Sequence, residues 1–280
     1  MPRLTPREVE QYRESGIVIP QYRLPASEID RLRATLDRLI AENPGVRPER
    51  LVSIHIDGDN GEGVRGSRDF LDLAHNPAIL DLVEQVIGPD IILWGCQIFC
   101  KPGGDGMAVP WHQDGHYWPI RPLATCTVWV ALDSSTTENG CLRVIPGSHR
   151  GEKLYAHMQE DRTDLVLRQS VRPEQFDPAT AWDIELEPGQ MSMHDVYLIH
   201  GSNPNPSPRR RAGVAIRYMP ATSLFDRGLM DRSAISGYTI DFANRPIWLL
   251  RGEDRTGRND FRRGHSALGH PTRGRPALTQ

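Results

Sequence analysis

The chain has 280 residues, of which 33 are basic and 36 acidic, so its net charge of −3 provides no general attraction to nucleic acid or to an anionic membrane. Hydrophobic residues make up 38% of the sequence, but no uninterrupted apolar run approaches the roughly 20 residues that a membrane helix needs. The composition therefore predicts a globular protein with a substantial core and with neither a nucleic-acid nor a membrane partner.

The N-terminal segment and the cysteines indicate a cellular location. The opening residues lack the apolar stretch of a signal peptide. Without such a signal, the cysteines are expected to be reduced thiols, which predicts a cytoplasmic location. Cys96 and Cys100 would share one strand face, but no second ligand pair at zinc spacing follows them, so a zinc site is not favoured.

The first predicted element is a helix with a clear start and end. Thr5 and Glu8 form the T-x-x-E pattern of a capping box, and Pro6 suits the first helical position. Gly16 ends this helix, and the β-branched run Ile17–Ile19 predicts a short strand after it. Two further amphipathic helices are predicted at Ser27–Glu42 and Pro77–Ile87.

After residue 90 the pattern changes to short extended segments separated by Pro, Gly and Asn. Such a series predicts an antiparallel sandwich or barrel, with the preceding helices covering one sheet. The charged insertion Gly151–Ala181 and the Arg/Gly-rich tail from Arg251 onward are both predicted to be irregular, and whether the insertion is a lid stays open. The predicted strands are Ile91–Cys100, Thr125–Leu132, Leu142–Ile145, Asp183–Leu186, Gln190–His194 and Arg211–Tyr218.

The stretch WHQDGHYWPI contains the first candidate metal ligands. His112 and Asp114 offer an imidazole and a carboxylate two residues apart, and His200 follows a later strand-like segment. Taken alone, His112 and Asp114 fit a polar surface loop better than a metal site. Together, two imidazoles and one carboxylate form the facial triad of non-haem Fe(II) oxygenases, which leaves three metal positions open.

Arg211 makes this set more specific. It lies eleven residues after His200 and begins the strand-like segment RAGVAIRY. A five-carbon 2-oxo diacid can chelate iron through its 2-oxo acid end, and its far carboxylate then needs a partner deeper in the barrel. A guanidinium is planar and permanently charged, and it binds a carboxylate through two hydrogen bonds.

The chain resembles the phytanoyl-CoA dioxygenase family of Fe(II)- and 2-oxoglutarate-dependent oxygenases. The resemblance rests on the ordered motifs H-x-D, ENG-x-L, PGSH, HGS-x-PN and Arg, and it covers most of the chain. It implies a mainly β fold, a cupin-like double-stranded β-helix (jelly roll) covered by N-terminal helices. It also implies one domain over 1–280, with a helical part at about 1–90, a jelly-roll core at about 91–220 and an irregular C-terminal part at about 221–280.

The resemblance assigns roles to particular residues. His112, Asp114 and His200 match the iron ligands, and Arg211 matches the arginine that anchors the cosubstrate, with Ser202 as its helper. Family members that halogenate have a small residue in place of the carboxylate, so the intact Asp114 disfavours halogenation.

Several further residues are candidates for the walls of the site. Gln97 shares a strand face with Phe99 and is a candidate hydrogen-bond partner of the cosubstrate, while Trp129 fits a cavity wall and core packing equally well. His194 precedes Asp195, and because adjacent strand residues point to opposite faces, no direct chemistry is predicted for it. Four residues are predicted to line the substrate side: Gln113, His116, Tyr117 and Trp118.

The resemblance implies a dioxygenase that uses Fe(II), 2-oxoglutarate and O2 to hydroxylate an unactivated C–H bond of a small molecule, with release of succinate and CO2. Two alternatives stay open: a non-catalytic jelly-roll binding or sensor module, and a cupin-like metal-dependent hydrolase or isomerase. The motifs leave the substrate and the oligomeric state open. Arginines that could present positive charge to an acid, a phosphonate or an acyl-thioester are Arg121, Arg143, Arg217 and Arg251.

Overall fold

A computed structural model of the chain describes residues 1–229 and 241–265. The predicted capping box is present, because the backbone N–H of Glu8 donates to Thr5 Oγ1 (3.2 Å) and that of Thr5 to the Glu8 carboxylate (2.6 Å). The helix Arg68–Ala74 was not predicted, since its seven residues are too few to show a clear period. The helices are α1 (Pro6–Ser15), α2 (Ala26–Glu42), α3 (Arg68–Ala74) and α4 (Pro77–Ile87).

The strands are mostly short, and the longest ones lie where continuous apolar runs predicted them. In chain order they are β1 (Ile17–Val18), β2 (Leu51–Val52), β3 (Gly58–Asp59), β4 (Arg65–Gly66), β5 (Ile91–Lys101), β6 (Val109–His112), β7 (Ile120–Arg121), β8 (Cys126–Ala131), β9 (Leu142–Val144), β10 (His157–Gln159), β11 (Gln169–Val171), β12 (Trp182–Ile184), β13 (Met191–Asp195), β14 (His200–Ser202), β15 (Arg211–Pro220), β16 (Leu224–Phe225) and β17 (Trp248–Arg251).

Two antiparallel sheets form the centre of the molecule. The major sheet has the order β1-β13-β8-β15-β5-β17, and β2 also pairs with β5. The minor sheet has the order β12-β9-β14-β6. Neighbours in both sheets are distant in sequence, so the chain passes back and forth between the sheets, as in a jelly roll.

The inner faces of the two sheets pack against each other over part of their area. Trp129 and Ala215 of the major sheet share one apolar cluster with Val144 and Ile184 of the minor sheet. The resulting two-layer β structure confirms the predicted jelly-roll core.

The N-terminal helices cover the outer face of the major sheet, as predicted. Leu36 of α2 and Val83 of α4 are fully buried in the same cluster as Val128 and Val214. Because Val128 and Val214 alternate with inward-facing residues along β8 and β15, one sheet face packs on helices while the other remains available for a site.

Two segments differ from their prediction. The insertion Gly151–Ala181 contains the hairpin β10–β11 and places Leu167, which is buried, on the wall of the central cavity. The C-terminal part at about 221–280, predicted to be irregular, contributes β17 to the edge of the major sheet, next to β5. The part of that prediction that concerns 230–240 and 266–280 lies outside the described residues.

No helix within the described ranges has the length and apolar character needed to cross a bilayer.

Candidate active site

The three predicted ligands come from two neighbouring strands of the minor sheet. His112 is the last residue of β6, Asp114 lies in the single 3-10 turn that follows, and His200 is the first residue of β14. His112 and His200 are cross-strand partners in the antiparallel ladder. The ladder therefore brings together residues that are far apart in the sequence.

The ligating atoms of the triad converge. Asp114 Oδ1 lies 3.6 Å from His112 Nε2, and Asp114 Oδ2 lies 4.0 Å from His200 Nε2. All three ligand atoms lie within 4.8 Å of one another, and all three residues are buried. Two atoms that are each about 2.1 Å from one ion can be at most about 4.2 Å apart, so both measured separations fit a shared ion.

The backbone sets the tautomer of both imidazoles. Nδ1 of His112 donates to the carbonyl of Pro110, and Nδ1 of His200 donates to the carbonyl of Leu198, each at 2.9 Å. Because Nδ1 carries the proton in both rings, each Nε2 keeps its lone pair for a metal. The same carbonyls also fix the ring orientations.

The charges around Asp114 keep it ionised. Burial by itself would raise the pKa of this carboxyl, but the interaction with His112 and the charges of His200 and Arg217 hold it well below its usual range. Burial, followed by the neighbouring His112, holds the pKa of His200 well below its ordinary value. The neutral imidazole of His200 and the ionised carboxylate of Asp114 are the protonation states that a divalent cation requires of its ligands.

Arg211 provides the buried cation that a 2-oxo diacid needs. It is 2% exposed, and its guanidinium donates to the carbonyls of Gly140 (2.7 Å) and Phe99 (3.3 Å). Its Nε has no hydrogen-bond partner, and no carboxylate of the described residues forms an ion pair with it. Burial lowers the pKa of Arg211 to about 10, so the group has a strong need for an anionic partner.

One cavity is lined by both the triad and Arg211. Its floor is the inner face of the major sheet, where Gln97, Ala215, Trp129 and Ser192 form one row across four strands. The guanidinium of Arg211 lies 5.3 Å from the Trp129 ring. The predicted wall residues on the lining of this cavity are Gln97, Trp129, Ser202, Tyr117 and Trp118.

Two residues predicted for the substrate wall lie elsewhere. Gln113 is fully buried, and its side-chain amide donates to the carbonyls of Lys153 and Tyr197 and accepts from the backbone of Tyr155. The Gln113 amide is therefore used to hold the 153–155 segment against the triad loop. The ring of His116 stacks on His157, with centroids 4.0 Å apart, and does not line the cavity.

His194, for which no chemistry was predicted, lies beside the triad. Its Nε2 is 4.0 Å from Asp114 Oδ2, its ring nitrogens have no hydrogen-bond partner, and burial is the main cause that lowers its pKa to about 4. His194 and Asp195 do point to opposite sides of the sheet, as side-chain alternation predicts. Alternation alone does not say which of these two residues lies on the cavity side. The pattern of β13 could have placed His194 correctly. Met191 and Met193 pack in the core that the helices cover, so His194, one residue further along, lies on the inner face.

Two further arginines line the cavity, and of these the sequence marked only Arg217, as one of four candidates to bind an acidic substrate. Arg217 and Arg245 are 8% and 4% exposed, and both lie on its wall with Phe242. Arg217 and Arg211 are an even number of residues apart and lie on the same, inner face of β15, so strand periodicity could have indicated the position of Arg217. Arg245 lies outside any strand, and no local pattern marks it.

Comparisons with known proteins agree with this geometry. The family model for phytanoyl-CoA dioxygenase (PhyH) matches residues 12–213. The chain is 32% identical over 151 residues to a probable alpha-ketoglutarate-dependent hypophosphite dioxygenase of Stutzerimonas stutzeri, a match that covers 53% of this chain and about half, 52%, of that relative. It is 26% identical over 227 residues to a probable phytanoyl-CoA dioxygenase of Caenorhabditis elegans, covering 74% of this chain and 72% of the relative.

Among solved structures, the apo form of the non-haem monooxygenase ThoJ superimposes with a TM-score of 0.68. It is 25% identical and covers 88% of this chain and 84% of its own. The family match extends from α1 to the start of β15 and includes the triad and Arg211. The chain therefore belongs to the phytanoyl-CoA dioxygenase family of non-haem iron, 2-oxoglutarate-dependent dioxygenases.

Proposed function

We propose that His112, Asp114 and His200 hold Fe(II) and that Arg211 binds the far carboxylate of 2-oxoglutarate. The observation that carries the proposal is that a buried His-Asp-His triad and a buried arginine without a carboxylate partner line the same cavity. Three protein ligands leave coordination positions for the cosubstrate and O2. Ser202 and Gln97 lie on the same lining and are proposed to bind the remaining cosubstrate oxygens.

When bound, Fe(II) with 2-oxoglutarate and O2 supplies the oxidising power that hydroxylates a C–H bond, while 2-oxoglutarate is converted to succinate and CO2. The chain supplies position and protection. The carbonyls of Pro110 and Leu198 orient the two imidazoles, and Trp129 stacks beside the guanidinium that orients the cosubstrate. The aromatic residues on the lining, Trp94, Trp118 and Trp129, would limit the access of water, so the oxidising power is directed to the substrate.

The substrate is proposed to be a small molecule that binds in this cavity. The relatives named above are named for hypophosphite and for phytanoyl-CoA, which differ greatly in size, so family membership alone does not select one. We also propose a cytoplasmic location, because the four cysteines are buried and unpaired, and a single domain over 1–280.

Succinate release tests the proposed function. Purified protein would be loaded with Fe(II) and 2-oxoglutarate without oxygen, O2 would then be admitted, and succinate would be measured with and without candidate substrates. A binding or sensor module would release none with any substrate. A cupin-like hydrolase or isomerase would keep its activity without 2-oxoglutarate and in Arg211→Ala, and either result would contradict the proposal.

A further inference from the structure

The cavity has a second cationic end, formed by Arg217 and Arg245. Arg211 and Arg217 lie on the same face of β15, six residues apart, which separates their backbones by roughly 20 Å. Arg211 therefore serves one end of the cavity and Arg217 the other. The two sheets enclose the iron triad along this cavity.

Arg217 is a buried cation that forms no ion pair with any residue in 1–229 or 241–265, although its charge acts on Asp114 of the triad. Its Nη2 donates to Gln97 Oε1 at 3.0 Å, and its Nε has no hydrogen-bond partner. Its guanidinium lies 5.1 Å from the ring of Trp118 and 5.7 Å from that of Trp94. These rings hold the group in place and attract it, but they do not neutralise it.

Arg245 brings a second positive charge to the same place. Its Nη2 binds both oxygens of Glu62 (2.8 and 3.0 Å) and Ser53 Oγ (2.7 Å), while its Nε has no partner. Its Nη1 points to Gly95, the cross-strand partner of Arg217. A Cβ on Gly95 would lie 3.3 Å from Arg245 Nη1 and 3.9 Å from Arg217 Cδ, so the two side chains converge above this glycine.

The balance of charge indicates what is missing. The lining of the cavity has three arginines, Arg211, Arg217 and Arg245, but only one carboxylate, Asp114, among the described residues; Glu62 is bonded to Arg245 from outside the lining. The three arginines and the two carboxylates leave one positive charge. Fe(II) and 2-oxoglutarate carry equal and opposite charges, so their binding does not change this excess. A buried charge without a partner is costly, and a bound anion would remove that cost.

We infer that the substrate is a small organic oxyanion, a carboxylate or phosphonate, whose acid group binds Arg217 and Arg245 and whose apolar part packs on Trp94, Trp118 and Phe242. This inference rests on the proposed function, since it assigns the third component of the same site. The acid group is held at one end and the cosubstrate at the other. The bond to be oxidised then lies between them, beside the triad.

Tryptophan fluorescence can test the inference, because Trp94 and Trp118 flank Arg217. Protein loaded with Fe(II) and 2-oxoglutarate without oxygen would be titrated with benzoate, phenylphosphonate and the neutral analogue benzamide. At least one anion should bind about tenfold or more tightly than benzamide, since a charge-assisted hydrogen bond contributes roughly 1.5–3 kcal/mol. The two anions distinguish a planar from a tetrahedral acid group.

Three variants assign the binding to this arginine pair. Arg217→Met should weaken anion binding about ten- to a hundredfold and leave benzamide unaffected, whereas Arg217→Lys should retain part of the preference. Glu62→Gln should tighten anion binding, because it removes the charge that competes for Arg245, and a gain of affinity cannot arise from misfolding. Arg143→Met is the matched control, as Arg143 also lies over a tryptophan ring (5.4 Å) but outside the cavity.

Equal affinities for the anions and benzamide, wild-type anion binding in Arg217→Met, or no gain in Glu62→Gln would overturn the inference. A loss of 2-oxoglutarate affinity in Arg217→Met with unchanged anion affinity would overturn it too, because Arg217 would then serve the cosubstrate. Calorimetric titration of wild-type protein with Fe(II) and 2-oxoglutarate tests the proposed function separately. If that titration failed while anions still bound through Arg217, only the proposed function would be wrong.

Discussion

His112 and His200 are direct cross-strand partners on β6 and β14, and their ring centroids lie 4.2 Å apart. Each ring donates from Nδ1 to the carbonyl two residues before it, so the two imidazoles repeat one local geometry on adjacent strands. The ladder sets the spacing of the rings and the carbonyls set their orientation. The site is thus built into the sheet rather than into a loose loop.

Replacing either histidine should abolish the metal site. In His112→Ala or His200→Ala only two protein ligands remain, so Fe(II) affinity should fall by more than about a hundredfold and succinate release should cease. Anaerobic Fe(II) titration and succinate assay measure the two effects. His75→Ala, at the end of α3, is the control and should behave like wild type. Wild-type turnover in either ligand variant would refute the assignment.

Arg211→Lys should raise the 2-oxoglutarate requirement although it keeps a positive charge. An ammonium cannot reproduce the planar two-point contact, and losing one charge-assisted hydrogen bond costs roughly 1.5–3 kcal/mol, or about ten- to a hundredfold in affinity. The apparent 2-oxoglutarate constant measures the change. The neighbouring Arg210→Lys is the control, because Arg210 binds Asp133 and Asp37 at the surface. An unchanged requirement in Arg211→Lys would place the anchor elsewhere.

Asp114→Gly should stop hydroxylation without creating a halogenase. It removes the anionic ligand and opens a metal position, but both imidazoles remain, so weak iron binding should persist. Little chlorinated product is expected with added chloride, because a halide also needs surroundings that the wild-type site does not require. Product mass measured with a working substrate tests both points. Hydroxylation at the wild-type rate would show that Asp114 is not a ligand.

Gly213→Ala should disturb the cosubstrate end of the cavity through Trp129. A Cβ at Gly213 would lie 2.0 Å from the Trp129 indole, which itself lies 5.3 Å from the Arg211 guanidinium. We expect a loss of about 1–3 kcal/mol in the free energy of unfolding and a weaker affinity for 2-oxoglutarate.

The double variant Gly213→Ala/Trp129→Leu checks the cause of this effect. The smaller side chain removes the clash, so the two changes together should destabilise less than the sum of the single changes. Denaturant unfolding of the four proteins gives the coupling energy. Strict additivity would show that Gly213 matters for another reason.

Acid should destabilise the protein partly through His157. Its Nε2 accepts from the backbone of Gln113 (3.1 Å) and its Nδ1 donates to the carbonyl of Tyr155 (2.9 Å), so both bonds require the neutral ring. Burial and the neighbouring His116 lower the pKa of His157 to about 4. As pH falls from about 6.5 towards 4, the unfolded state takes up the proton first and stability is lost.

The measurement is denaturant unfolding of chelator-treated protein between pH 7.5 and pH 4.5, a range that starts above the ordinary histidine pKa of about 6.5. His157→Gln should lose less stability on acidification, by at most about 1.4 kcal/mol per pH unit, and by less because the ring is partly exposed. Above pH 6.5 the two proteins should show the same pH dependence. Parallel curves down to pH 4.5 would exclude His157 as the titrating group.

The strongest sequence signals were those of local origin. The capping box of α1 and the apolar faces of α2 and α4 depend on residues within one or two turns, and all were predicted correctly within a residue or two. By contrast, β6 and β14 have four and three residues and no strand-like pattern, and neither was predicted although they carry both histidine ligands. Such short strands form only because the neighbouring strand supplies their hydrogen bonds.

The sequence by itself determined the kind of chemistry, because a His-x-Asp pair, a later histidine and an arginine in family order identify the ligand and anchor types. Only the tertiary structure decided which other residues share their cavity. Gln113, adjacent to two ligands, is used in loop hydrogen bonds, while His194, Arg217 and Arg245 face the site from distant segments. Side-chain alternation along a strand specifies two faces, but the packing of helices on one face of the major sheet determines which of them becomes the cavity wall.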